Sequence, residues 1–183
     1  VGSAQVPPSL TFSLTDLHDG TPMDSAAPCH AAPLKSVTGL SFVAPMLGAA
    51  RAAQAEWLRL IADRRRARPL APLEQATYQL ELGRAIGEID TAHLLLERVA
   101  ATADEGKPGK VLTARAARDC ALAAEWLHSA TDRLVRAAGT STVSAENTLE
   151  RIWRDVRTAA SHGSIRVSST SVAYADLLTS DLD

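Results

Sequence analysis

Leu82, Ile86, Ile89, His93, Leu96 and Ala100 recur at spacings of four, three, four, three and four. An α-helix brings such a series onto one stripe, whereas a strand, with its period of two, would scatter it over both faces. The stripe predicts a helix from about Pro72 to Ala103, ended by Asp104-Glu105-Gly106-Lys107-Pro108-Gly109. Gly83 and Gly87 sit four apart beside it; they weaken the helix, so another helix is expected to approach closely there. A further run from about Lys110 to Ala138 has Leu112, Ala116, Cys120, Ala123, Leu127, Ala130 and Leu134 as its apolar stripe. Gly139 stops it as a left-handed cap residue would. Ahead of both, Ser36 to Arg66 is apolar early and arginine-rich late, which suits a helix C-terminus, and Pro69 and Pro72 close it. Pro45 lies inside this run and predicts a kink or a separate lead-in before the main helix.

The ends of the chain read differently. Residues 1–36 hold Pro7, Pro8, Pro22, Pro28 and Pro33 with Gly2 and Gly20, a density that excludes long helices and favours an extended arm with turns. Phe12, Leu14 and Leu17 could anchor that arm on a helical surface. After a loop of small and hydroxyl residues, Thr140 to Ser144, a shorter helix is expected from about Glu146 to Gly163. The tail from Ser164 to Asp183 is rich in Ser and Thr, with Val167, Val172, Tyr174, Leu177 and Leu178 as docking points. The expected fold is all-α: an antiparallel four-helix bundle over 37–183 with its tail, preceded by a Pro-rich arm over 1–36. At 183 residues the chain suits one domain with a sizeable core, and with 4% aromatic residues Ala and Leu must do most of the packing.

Bulk properties narrow the function. A net charge of -2 implies no nucleic-acid partner. The run Arg64-Arg65-Arg66-Ala67-Arg68 lacks interleaved aromatics and reads as a charged helix end. No apolar run reaches membrane-spanning length, so no membrane partner is expected. Cys29 and Cys120 stand apart with no CxxC spacing, which argues against a disulfide or a metal site and fits a reducing cytoplasm. His18 and His30 make no metal constellation. No Ser-His-Asp, phosphate-loop or HExxH pattern occurs. Val1 in place of an initiator methionine predicts a chain that was trimmed, processed or cut from something longer.

Chemistry concentrates on the late helix. Arg151, Asp155, Thr158 and His162 follow i, i+4, i+7, i+11 spacing and share a polar face, while Leu149, Trp153, Val156 and Ala160 can pack inward. From the residues alone, His162 is either a functional imidazole or a helix-end histidine favoured by the dipole. Arg151 and Asp155 read as an i,i+4 ion pair, and so do His128 and Asp132. Arg154 and Arg157 read as solvated or subunit-bridging. His93, inside the apolar stripe, reads as a buried, hydrogen-bonded histidine. Trp57, Trp126 and Trp153 read as core or interface residues.

The run Ser41-Phe42-Val43-Ala44-Pro45-Met46-Leu47-Gly48-Ala49-Ala50-Arg51-Ala52-Ala53 resembles the opening of the C-terminal helical domain of the acyl-CoA dehydrogenase superfamily. Leu149 to His162 resembles that domain's late helix, and most of all the flavin-dependent monooxygenase branch, where an R-x-W-R-D core is followed by a histidine. Val6-Pro7-Pro8 resembles the exit from the family's central β-domain. The resemblance implies the oxygenase component of a two-component monooxygenase. Such a protein takes reduced flavin (FMN or FAD) from a flavin reductase and hydroxylates an aromatic or other electron-rich small molecule. It implies that His162 is catalytic, as a base or by steadying activated oxygen. It implies that Gly139, Thr140 and Ser141 form the loop that approaches flavin, often a neighbouring subunit's, and that the protein is a homo-oligomer, tetramer or dimer. The family's N-terminal helical and middle β-domains are not in this sequence, and the family's Gly-Gly before the loop is Ala138-Gly139. Two other classes remain open: a free-standing, flavin-free biosynthetic enzyme (cyclase, isomerase or dehydratase), and a non-catalytic oligomerisation module.

Overall fold

The computed structural model describes residues 4–21, 27–144 and 146–180; Val1, Gly2, Pro22 and Asp183 of the segments read above lie outside them. Regular structure in the described residues is helical throughout: α1 (Leu14–Asp19), α2 (Leu34–Ala67), α3 (Pro72–Asp104), α4 (Lys110–Ala138), α5 (Thr148–Ala160) and α6 (Val167–Thr179). Short 3-10 turns occupy Pro8–Leu10, Pro28–Ala31, Thr140–Thr142 and Gly163–Ile165. The all-α expectation holds, and the long helices begin and end within a few residues of the expected breaks.

Helix α4 is the axis of the molecule, packing against α2, α3, α5 and α6. It can serve so many neighbours because small residues surround it: Ala114, Ala116, Ala121, Ala123, Ala124 and Ala130 are all buried. Larger side chains fill the gaps between axes, among them Trp57, Ile89, Leu127, Leu134 and Leu149. Helix α2 crosses α4 closely at Gly39, where an added Cβ would clash with the Cys120 side chain.

Helix α2 runs unbroken through Pro45, so the expected lead-in does not form. Proline deprives the Ser41 carbonyl of its helical donor. Ser41 and Pro45 are both exposed, so water can take that donor's place. On α3 the buried stripe is Tyr78, Ala85, Ile89, Ala92, Leu96, Val99 and Ala103. It is rotated slightly from the expected stripe because alanines 85 and 92, smaller than their neighbours, mark the contact line. His93 is consequently half-exposed, 3.4 Å from Glu97, and is not the buried histidine expected. Gly83 and Gly87 are exposed with open space where a Cβ would stand, so the helix expected against them does not come from the described residues.

Polar pairs at the helix margins tie the bundle. Asp119, 1% exposed, receives Arg98 of α3 and Arg118, each at 2.7 Å. The Arg118 guanidinium also lies 4.3 Å over the Tyr174 ring, which fastens α6 to α4. Arg133 of α4 bridges Glu81 and Glu88 of α3, 2.8 Å from each. The tail is therefore largely a helix: Val167, Tyr174 and Leu177 are half-buried, while Val172 and Leu178 face outward. In the arm, Phe12 and Leu14 are 68% and 58% exposed, while Leu17 is 40% exposed and α1 touches α2.

Two predictions follow from the α2–α4 crossing. Gly39→Ala should destabilise the protein by about 1–3 kcal/mol, as overpacking does; an unchanged urea midpoint would contradict the close approach. Burial pushes the Cys120 thiol from 9.0 up to about 12, with the Asp119 carboxylate adding to the effect. Above the ordinary thiol range the unfolded chain has lost this proton and the folded chain has not. The unfolded state then binds fewer protons, so stability falls as pH rises through that window, by at most about 1.4 kcal/mol per pH unit. Unfolding free energies measured against pH should show a shallower fall in Cys120→Ala than in the native chain.

Candidate functional site

The segment between α4 and α5 begins at Gly139, whose φ of 81° lies in the left-handed range that favours glycine. Its amide donates to the Arg136 carbonyl and closes α4. Thr140–Thr142 then makes one 3-10 turn. The Thr142 hydroxyl donates to the Gly139 carbonyl at 2.7 Å, and Thr142 is buried beneath the turn. Gly139 and Thr140 are exposed, and nothing stands within 4 Å of the place a Cβ on Gly139 would occupy. A flat ring or a phosphate could therefore reach the backbone here. Ser141 lies in the middle of the turn.

Helix α5 starts where Asn147 Oδ1 accepts the Leu149 and Glu150 amides, at 2.9 and 3.4 Å. Leu149 and Val156 are buried and Trp153 and Ala160 half-buried, as their spacing requires. Arg151, Asp155 and Thr158 form an exposed face. The ion pair on this helix is Arg154 with Glu150, at 3.7 Å, in place of the expected Arg151–Asp155. Asp132 likewise pairs with Arg136 at 3.0 Å and accepts the Trp153 indole N–H at 3.3 Å, in place of the expected His128 contact. Arg157 covers the Trp153 ring, 5.3 Å from its centroid.

His162 lies two residues past the end of α5, and its amide donates to the Ala159 carbonyl of that helix's last turn. It heads the next turn, and its Nδ1 accepts the Ser164 amide at 3.2 Å. The imidazole stacks on Phe42 of α2, with ring centroids 4.1 Å apart and planes inclined by 24°. An acceptor Nδ1 puts the proton of the neutral ring on Nε2. His162 thus presents a fixed N–H donor on an exposed surface. Phe42 and Ser164 support it. The sequence does not announce them, because their roles depend on how the chain turns after α5.

The expected site residues fall into two groups. The loop at Gly139, Thr140 and Ser141 precedes α5 and His162 follows it, so about 20 Å of helix separates them. One chain does not bring them together around one small ring. No helix of the described residues is long and apolar enough to cross a membrane.

A family model for the acyl-CoA dehydrogenase C-terminal domain matches residues 40–167. No curated protein sequence matches the chain. Among solved structures, it resembles the HsaA monooxygenase from M. tuberculosis, with a TM-score of 0.82 and 23% identity, over 98% of this chain and 49% of that one. It resembles the 3-HSA hydroxylase from Rhodococcus sp. RHA1 at TM-score 0.78 and 22% identity, over 86% of this chain and 42% of that one. It also resembles XiaF from Streptomyces sp., solved with FADH2 and glycerol, at TM-score 0.72 and 24% identity, over 92% of this chain and 43% of that one. The chain thus spans about half the length of these structures.

Ser164→Pro deletes the amide that holds Nδ1. Nitrogen NMR on the native chain should show a scalar coupling between Ser164 N and His162 Nδ1, and the proline variant should lack it. Absence of that coupling in the native chain would remove the fixed donor.

Proposed function

We propose that this chain, which belongs to the acyl-CoA dehydrogenase C-terminal domain family, is the helical half of the oxygenase component of a reduced-flavin monooxygenase. The observation that carries the proposal is His162: its imidazole is exposed and held at a defined angle by Phe42 and the Ser164 amide. The chain shares its fold with half of proteins named as a monooxygenase and a hydroxylase, and with one solved with FADH2, which supports the same reading.

Reduced flavin, FMN or FAD, when bound, supplies the electrons and the site at which dioxygen is activated. The chain's own residues would do three things. The Gly139–Ser141 loop would meet the flavin, and at Gly139 and Thr140 its exposed backbone can face a phosphate or ring carbonyls. His162 holds a proton at Nε2, where it can hydrogen-bond an oxygen of the substrate or of the activated group and pass that proton on. Phe42 keeps the ring from turning. Because the loop and His162 stand at opposite ends of α5, they serve distant parts of one dinucleotide or the sites of two subunits.

A homo-oligomer is part of the proposal. Leu73, Leu80 and Leu94 stand seven or fourteen residues apart on α3 and are 80%, 52% and 65% exposed, with Gly87 completing the series. This apolar line, with Gly83 beside it, suits a second copy of the chain. The rest of the proposal is a separate flavin reductase, an aromatic or other electron-rich small molecule as substrate, and a cytoplasmic location.

The test uses the gene product that contains this chain. It should bind reduced FMN or FAD under anaerobic conditions and, on admission of oxygen, hydroxylate a phenolic substrate panel. His162→Ala should lower hydroxylation by about 10²-fold or more. A native protein that takes neither reduced flavin would overturn the reading. Unimpaired hydroxylation by His162→Ala would remove His162 from the chemistry.

A further inference from the structure

Arg64 leaves α2 near its C-terminus and reaches the root of the Gly139 loop. One guanidinium nitrogen, Nη2, donates to the carbonyl of Ala138, the last residue of α4. The other, Nη1, donates to Tyr78 Oη of α3 at 3.0 Å. Tyr78 Oη donates onward to Glu74 Oε1 at 3.0 Å, and Glu74 pairs with Arg68 at 2.9 Å. The Tyr78 ring is itself set edge-on against buried Trp57, with centroids 5.6 Å apart. The guanidinium is thus fixed at both prongs, and one of them grips the residue immediately before the left-handed glycine.

This grip answers two needs. The final carbonyls of α4 have no intrahelical donor and carry the negative end of the dipole, so a cation bonded there is favoured. Among the described residues, the turn's hydrogen bonds run from Thr142 N and Oγ1 to the Gly139 carbonyl and from Val143 N to the Thr140 carbonyl, with the Gly139 amide bonded back to Arg136 of α4. They give the turn its form and join it to α4, but none of them reaches α2 or α3. Arg64 supplies a bond from the α2–α3 corner to that turn's first peptide. Arg66, by contrast, is exposed and pairs with Asp63 of its own helix.

We propose that Arg64 is a positioning residue for flavin: it ties the Gly139–Ser141 loop to the α2–α3 corner, so that the loop is preformed before flavin arrives. The proposal rests on the reading that this loop meets flavin. A loop held in its bound shape spares the ligand the cost of ordering it. Lysine cannot reproduce the arrangement, because a point ammonium does not span two acceptors in a rigid fork.

The experiment compares the native gene product with Arg64→Met, Arg64→Lys and Tyr78→Phe. Three quantities are read: amide hydrogen exchange at Thr142 and Val143, anaerobic affinity for reduced FMN and FAD, and the melting temperature. In Arg64→Met, exchange at Thr142 and Val143 should quicken about tenfold while Leu127 and Ala130 of α4 keep their protection, and the flavin Kd should rise about tenfold. Arg64→Lys and Tyr78→Phe should fall between Arg64→Met and the native protein. If Arg64→Met exchanges fast everywhere because it unfolds, those two variants decide the matter. Native exchange at Thr142 and Val143 in all folded variants overturns the proposal, and so does faster exchange with an unchanged flavin Kd. A native protein that takes no reduced flavin overturns the functional reading and the flavin part of this one. Native binding that the variants leave untouched overturns this inference alone.

Discussion

The bundle depends on the smoothness of α4. Alanine on nearly every side of one helix lets α2, α3, α5 and α6 all approach it closely. Short side chains also make shallow ridges, and shallow ridges specify the rotation and slide of a neighbouring helix poorly. The polar pairs at the margins restore that information. Asp119 between Arg98 and Arg118, and Arg133 between Glu81 and Glu88, bond at set heights along α3 and α4. Such pairs contribute little net stability when compared with apolar replacements. Their value in an alanine-rich bundle is register, with Gly39 against Cys120 doing the same for α2.

Register matters because the functional groups are borne by the ends of helices. His162 depends on α5 ending above Phe42 of α2. The Gly139 loop depends on α4 ending within reach of Arg64. A half-turn slip of α2 along α4 would part both contacts at once. The packing of the core and the geometry of the surface groups are therefore one problem.

Much of this was legible in the sequence. The long helices could be delimited because Pro and Gly leave local, unambiguous stops: Pro69 and Pro72, Gly106 to Gly109, and Gly139. The buried stripe of α4 was readable because its apolar residues are evenly spaced. The stripe of α3 differs from the expected one by a small rotation because Ala85 and Ala92 carry it, and alanine gives no signal by size. Helix α6 is hard to see in the sequence because Ser and Thr dominate its first turns, and its docking relies on Arg118 and Tyr174, which lie far apart in sequence. At the site, the residue types were visible but their company was not. Phe42 reaches His162, and Arg64 reaches Ala138, across 120 and 74 residues of chain. One clue did exist: Trp57, Ile61 and Arg64 follow helical spacing, so Arg64 sits on the buried face while Arg65 and Arg66 do not.

Helix α5 has a role that its modest length conceals. It is a rigid gauge between the loop at Gly139 and the imidazole at His162. A helix couples length to angle, since each residue adds about 1.5 Å and about 100° of rotation. A single insertion or deletion inside α5 would swing His162 off Phe42 and bury part of the polar face, whereas a whole extra turn would keep the face and misplace the height. Residues 143–144 and 146–147, ahead of α5, belong to no helix, so length there is not tied to angle. Variation in chain length among sequences built on this plan should therefore collect there and spare the helix after it.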